Sequence, residues 1–415
     1  MPFAWDGFTV MGRTVKGLAS ETGFATYPGG TDFGVRTDTD MWGGVENLKY
    51  GARGPAFQPP PPTGLTAITT GSGTIASAIA ANSTGTFFGL DGAYTNATGA
   101  VPKVGQRFYN TGKTTVTASS EYGFNHNASS PAANNVEYHG LTITGANTYQ
   151  IWARSTTGTK TYHCDLSGGE FVYHDGDLGG SALFKTIVRD GRRMGARLSS
   201  NNNVLEDCEL TGNNSTNEAW NAGSALAAAS KQHSSPGCVN RWNWIYLNNG
   251  PGLWSDNTTA DATWTAHHNL IETHWQRDSP GIMYETGTGG VKLHMNVIKS
   301  LQFAAFWMSE CEDATVEYNK VVNCYRGLIN REGARAANVN NGTFQWNYVD
   351  QTDLGGDDKA AGWVNNEVGS GNVWEHNRYR IESGIANPFR GATASQTVAQ
   401  WQANSFTTDE GVHVH

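Results

Sequence analysis

The stretch Asn243-Trp244-Ile245-Tyr246-Leu247-Asn248-Asn249-Gly250-Pro251-Gly252-Leu253-Trp254-Ser255-Asp256 sets two short apolar runs on either side of a turn made of Asn, Gly and Pro. Both halves recur. The Asn-x-(Ile/Val) half returns at Asn269-Ile271, Asn296-Ile298, Asn319-Val321 and Asn347-Val349, at spacings of 26, 27, 23 and 28 residues, and Asn377-Arg378-Tyr379 extends it loosely. The second half returns in phase as Pro280-Gly281-Ile282-Met283, Ala305-Phe306-Trp307 and Arg326-Gly327-Leu328-Ile329. Upstream, Ile143, Leu166, Val188 and Leu210 occupy equivalent short strands at spacings of 23, 22 and 22. Two strands per unit at fixed phase, with no helix in any unit, describe one coil of a solenoid. A β/α barrel or a leucine-rich repeat would show a helix in every repeat, and a sandwich would not keep this register. The expected fold is all-β, a right-handed parallel β-helix over residues 63–392. Residues 1–62 form a separate N-terminal segment with a linker, and residues 393–415 a C-terminal cap or tail.

Composition agrees with a turn-rich stack. Of the 415 residues 51 are Gly and 16% are charged, well below the roughly 25% of ordinary soluble domains. Asn pairs such as Asn201-Asn202, Asn213-Asn214, Asn248-Asn249 and Asn340-Asn341 suit tight turns, where Asn tolerates left-handed backbone angles. The net charge is −9 with no Lys/Arg-rich run, which excludes a polyanion-binding groove of the nucleic-acid kind. No apolar run is long enough to span a membrane. The N-terminus lacks the basic and apolar regions of a secretory leader. Five Cys without a C-x-x-C pair argue against a disulfide framework or a zinc site, and no metal or cofactor is expected. Cys164 and Cys208 lie two residues before inward Leu166 and Leu210, so both should be buried thiols, two coils apart and too distant to bridge.

Pro59 to Pro62 predict a stiff connector after the aromatic-rich leader. Thr74-Ile75-Ala76-Ser77-Ala78-Ile79-Ala80 reads as a short amphipathic helix behind a Thr cap, placed to cover the open end of the stack.

The repeats Asn248 to Asp256, Ser279-Pro280-Gly281-Ile282-Met283-Tyr284-Glu285 and Asn296-Val297-Ile298 resemble the right-handed β-helix proteins of the pectate-lyase-like superfamily. Pro102 to Phe108 and Gly140-Leu141-Thr142-Ile143 look like that family's opening coils. Ser395 to Gln402 looks like its closing segment. The resemblance implies a polysaccharide-active lyase, hydrolase or epimerase, or a phage tail protein that engages surface glycans. It also implies association as a homotrimer. The Arg-x-Pro-x-x-Arg motif of pectate lyases does not occur, and Asp357-Asp358 lacks the companions found in polygalacturonases.

Candidate chemistry sits on the second of the two recurring strands. Asp256 and Glu285 lie three residues after Leu253 and Ile282, so by parity they share an outer face on adjacent coils, about 5 Å apart. That is near the carboxylate spacing of a retaining glycosidase, and Glu310 comes one coil later. For a lyase, His274 or His233 as base with Arg277 as counter-cation would serve. Trp254 points outward by parity, and with Trp275 and Trp307 it offers flat faces for sugar rings. The expected function is a tailspike-like or minor tail protein of a virion that binds a host-envelope polysaccharide, with depolymerisation of that polysaccharide left open. Residues 1–62 would join it to other tail proteins. The alternatives are a secreted, extracellular polysaccharide lyase or glycoside hydrolase, and a non-catalytic structural β-helix of a surface assembly.

Overall fold

The computed structural model describes residues 43–414 apart from short stretches, the longest being 129–132, 219–226, 257–263, 275–278, 332–339, 352–359 and 365–370. Before residue 43 it describes an antiparallel pair, Thr9–Val10 with Arg13–Thr14. The rest is a right-handed parallel β-solenoid. Each coil contributes three strands, where the repeat predicts two. In one coil these are Val239–Arg241, Trp244–Tyr246 and Leu253–Asp256, members of the first, second and third ladders respectively. The third ladder has 12 strands and starts at Tyr122–Asn125. The first and second ladders join through the long opening strands Phe87–Asn96 and Arg107–Ala118.

The two periodic series found in the sequence are the second and third ladders. Leu166, Val188, Leu210, Ile245, Ile271, Ile298, Val321 and Val349 stack in direct register along the second. Leu253, Ile282, Phe306 and Leu328 do so along the third. The first ladder escapes a periodicity search because its stacked inward position changes in kind from coil to coil. In register it is held by Leu205, Asn240, Ala266, Leu293 and Val316, of which Asn240 is polar and Ala266 small.

The recurring Asn is not a turn residue. It follows a bend whose left-handed position is held by Trp242, His268, Met295, Tyr318, Trp346 or His376, with φ between 53° and 59°. A non-glycine residue there costs roughly 1–2 kcal/mol. The bend turns the next side chain inward, and Asn243, Asn269, Asn296, Asn319, Asn347 and Asn377 form a continuous buried column. From Asn269 onward each amide oxygen accepts the backbone N–H and the side-chain N–H of the preceding coil's Asn, as Asn296 Oδ1 does from Asn269 at 3.1 and 2.9 Å. Each side-chain nitrogen also donates to a carbonyl of the first ladder, as Asn296 Nδ2 does to Ala266 O at 2.9 Å. Both lone pairs and both amide hydrogens are thereby used. Cys208 occupies the same position one coil before Asn243 and donates its own backbone N–H into the column at 2.9 Å. The Asn pairs do turn as expected in three cases, where Asn202, Asn214 and Asn341 take left-handed angles. All five Cys are buried free thiols. Burial pushes Cys164 and Cys208 up to about 12, which leaves them protonated and inert.

The helix expected near Thr74 spans Thr74–Ala81 and buries Ile75 and Ile79 in the main core beside Ile68 and Phe88. Its cap is Gly73 in a left-handed conformation, and no side chain caps it. At the other end Val398–Gln402 is a helix with a Thr397/Gln400 capping box. It buries Trp401 against Phe389 and Trp374. Beyond it, Thr407–Thr408 and Gly411–Val414 continue the first and second ladders.

The N-terminal stretch from Gly43 onward runs down the outside of the second ladder. Glu46 pairs with Lys320 at 2.8 Å. Val45 and Leu48 pack on Leu270 and Val297 with Trp242 and Trp244. Arg53 is buried and donates to the carbonyl and the carboxylate of Asp207 at 2.8 and 2.9 Å, while Lys185 holds the other carboxylate oxygen at 2.8 Å. Gly54 N–H donates to Lys185 O, and Gln58 Nε2 to Asn110 O. About a dozen residues thus strap the stack from the coil of Lys320 down to that of Asn110, where a free connector would make few contacts. Among the described residues no helix is long and apolar enough to cross a membrane.

Two outcomes follow. Asn296→Ala orphans the N–H groups and carbonyl that converge on that amide and should cost about 2 kcal/mol or more, read as a lowered denaturant midpoint. The exposed-turn substitution Asn341→Gly, at a left-handed angle that glycine adopts freely, should stay within about 0.5 kcal/mol, and equal losses in the two would refute the column's role. Deleting residues 1–62 should preserve the β-sheet circular dichroism spectrum but lower the melting temperature, because the Arg53–Asp207 clasp goes with the segment. An unchanged melting temperature would show the strap to be ornamental.

Candidate functional site

The outer face of the third ladder presents two rows. Along one, Trp152, His174, Arg197, Lys231, Trp254, Met283 and Trp307 follow one another in register from coil to coil. Along the other, two residues further on, His233, Asp256, Glu285 and Ser309 do the same. Asp256 and Glu285 are therefore direct neighbours on adjacent coils, as the shared offset predicts, and the sheet spacing sets their backbones about 4.8 Å apart.

Asp256 is 7% exposed. Its Oδ2 lies 2.8 Å from Lys231 Nζ, and the Thr286 hydroxyl reaches its Oδ1 at 3.5 Å. Lys231 is itself buried, with its ammonium 3.4 Å from the centre of the Trp254 ring. Burial pulls the Lys231 pKa below its ordinary value, while the charge and hydrogen bond of Asp256 and the charge of Glu285 oppose the shift. Beside them His233 is half-buried, and desolvation lowers its pKa despite the pull of Asp256. The cluster is thus two carboxylates, one ammonium and one imidazole that favours its neutral form, at the border of protein and solvent.

The other expected site residues fall elsewhere. Ser309, not Glu310, is in register with Glu285. Glu310 follows at a left-handed bend, φ 53°, and is buried outside the row. A one-residue slip flips a side chain to the other face of a strand, which is what separates Glu310 from the pair. His274 is 2% exposed and sits beneath Gly252, where an added Cβ would lie 3.1 Å from its Cε1. Burial pushes its pKa down to about 4, so it is a neutral core histidine that no glycan can reach. Arg277 and Trp275 lie outside the described residues.

Trp254 faces away from the main core, as its parity predicts, yet it is only 2% exposed. It belongs to a second apolar cluster with Phe171, Met194, Ala228 and Met283, and Lys231 covers its ring. An exposed indole at this position is therefore overturned: packing on the outer face has taken it. Trp307, in the same row and packed on Phe303 at 4.8 Å, is only partly buried and keeps a surface that a sugar could meet. The sequence reading passed over the partners Thr286 and Arg197. No local motif marks them, because each meets the cluster only through coil-to-coil register.

Three solved structures share the architecture. The Dettilon tailspike protein aligns with a TM-score of 0.55 at 12% identity, over 87% of this chain and 67% of that one. The catalytic unit of a thermostable α-1,3-glucanase from Streptomyces thermodiastaticus aligns at 0.53 and 15%, over 86% and 70%. The A-module of a mannuronan C-5 epimerase from Azotobacter vinelandii aligns at 0.52 and 13%, over 81% and 95%. What this chain shares with them is the parallel β-helix. At these identities the β-helix is shared as architecture alone. No family model matches the chain, and no curated protein is similar to it in sequence.

Buried histidines give this β-helix an acid limit. Burial is the first cause that lowers the pKa of His126 to about 4, His163 to about 4, His174 to about 3, His267 to about 2 and His268 to about 3. For the last two, the neighbouring His294 adds repulsion. In the unfolded chain each regains a pKa of about 6.5. The unfolded state therefore binds more protons below that value, and stability present above it drains away as pH falls towards the folded-state values. Denaturant midpoints should fall steadily from about pH 6.5 to about pH 4.5, before most carboxylates titrate. A flat profile over that window would contradict the buried, neutral imidazoles.

Proposed function

We propose that the chain is a phage tail component, at the virion surface, whose third-ladder outer face binds and cleaves a polysaccharide of the host envelope. The observation that carries the reading is the in-register pair Asp256 and Glu285 beside Lys231 and His233 on a solvent-bordering face. The names of the fold-mates support it: one is a tailspike and one a glucanase. In this reading residues 1–62 attach the β-helix to other tail proteins, with the strap fixing where that attachment emerges. The coils associate as a homotrimer, without nucleic acid.

The chemistry that suits the pair is retaining hydrolysis, whose carboxyl groups sit about 5–5.5 Å apart. Asp256, its charge matched by Lys231, attacks the anomeric carbon as the glycosidic C–O bond breaks. Glu285 gives its proton to the departing oxygen. Water then loses a proton to Glu285, attacks the same carbon and releases Asp256. Trp307 supplies a stacking face one coil further on. A second reading, elimination at a uronate, is favoured by Lys231, whose depressed pKa suits proton abstraction.

The test is a panel of bacterial surface polysaccharides assayed for new reducing ends and for ultraviolet-absorbing unsaturated ends. Asp256→Asn and Glu285→Gln should each lower cleavage about a hundredfold or more while binding persists. Trp307→Ala should weaken binding instead. Parental rates in the double amide variant would remove this face as the active site, and unsaturated products lost with Lys231→Met would select elimination.

A further inference from the structure

The coils that precede the acid pair carry a second constellation on the same face. Tyr122, Trp152, Tyr149 and Phe171 form a continuous aromatic platform. Tyr122 stacks on Trp152 at 4.7 Å and 12°, Trp152 on Tyr149 at 5.5 Å and 15°, and Tyr149 on Phe171 at 5.4 Å and 20°. His174 packs against the last two at 5.3 and 6.3 Å. Tyr122, Tyr149 and Trp152 are only partly buried, so the platform has an open side.

Guanidinium groups edge it. Arg154 is exposed, and its stem crosses Gly176 of the next coil, where an added Cβ would lie 3.2 Å from Arg154 Cγ. Arg197 follows His174 in the same row and donates from Nε to Ser199 Oγ at 3.2 Å. Both guanidinia, with Arg193, act on the Tyr149 hydroxyl, and both help to hold His174 neutral. Arg193 is already matched by Glu170 at 2.6 Å and Glu218 at 2.9 Å. Lys231 continues the row to the acid pair. A chain of net charge −9 thus gathers Arg154, Arg193, Arg197 and Lys231 along a few coils beside flat aromatic faces.

We infer that this platform is a subsite for a carboxylate-bearing sugar ring, so that the polysaccharide is acidic and the charged ring binds in the coils before the cleavage point. The aromatic faces meet the apolar face of a pyranose, and planar guanidinia match a carboxylate with paired hydrogen bonds. A Cβ at Gly176 would press on the Arg154 stem, 3.2 Å from its Cγ, so glycine leaves that stem room beside the platform. The inference deepens the proposed function and rests on it for the location of the cleavage point, whereas the subsite itself can be tested without any cleavage.

Saturation-transfer NMR on the full chain, with D-glucuronate and D-glucose as probes, tests it. Glucuronate should bind in preference to glucose, and Arg154→Gln/Arg197→Gln should weaken it roughly tenfold or more without changing the glucose signal. Trp152→Ala should weaken both. Asp256→Asn should leave glucuronate binding unchanged, which separates this subsite from the catalytic reading. Equal signals from the two sugars, no signal from glucuronate, or parental binding in the double Arg variant would overturn the inference. Tighter binding of glucose 6-sulfate than of glucuronate would overturn its carboxylate assignment.

Discussion

The amide column from Asn243 to Asn377 is the constraint on which the second half of the stack depends. A solenoid must bend its chain sharply at every coil, and here one bend forces a bulky residue into left-handed angles. Each such bend carries a cost, and each is offset by an amide that makes its full set of hydrogen bonds in a dry interior. Because every Oδ1 accepts from the coil before it, no coil can slip by a residue without orphaning several buried donors. Register is thereby fixed at one corner and carried through the three ladders.

Fixed register is what makes a site possible on a solenoid. Side chains that are distant in sequence become neighbours only if equivalent positions align coil after coil. Lys231, Trp254, Met283 and Trp307 share one row, and His233, Asp256 and Glu285 the next, solely for that reason. The same alignment allows a charge gradient along one face. Guanidinia and aromatic rings lie in the earlier coils, a buried Lys–Asp pair in the middle, and Glu285 one coil further on. A polymer lying along the stack would meet these in order, which suits a linear polysaccharide better than a compact ligand.

The strap from Glu46 to Gln58 uses a different face, along the second ladder. It covers Leu270 and Val297 and inserts Arg53 against Asp207. It thus removes an apolar outer face from water on the second ladder, while the third ladder keeps partly open aromatics. Two outer faces with similar strand chemistry therefore have different fates. One is closed by the chain's own leader, and the other stays available.

The sequence by itself determined the solenoid, the phase of its second and third ladders and the inward parity of Leu253, Ile282, Cys164 and Cys208. Those follow from alternation and spacing, which are local. It also determined that Asp256 and Glu285 share an offset, since each is counted from an inward residue on its own strand. Only the tertiary structure decided the rest. The first ladder stayed hidden because its inward column runs through Asn240 and Ala266, which breaks any apolar period. The recurring Asn looked like a turn former, and its role as a buried amide depends on partners 23 to 30 residues away. Trp254 points outward as parity requires, yet it is covered, because exposure depends on what packs over a face. Glu310 left the row for a related reason: it falls at a left-handed bend one residue past Ser309, and no count along the chain registers that bend.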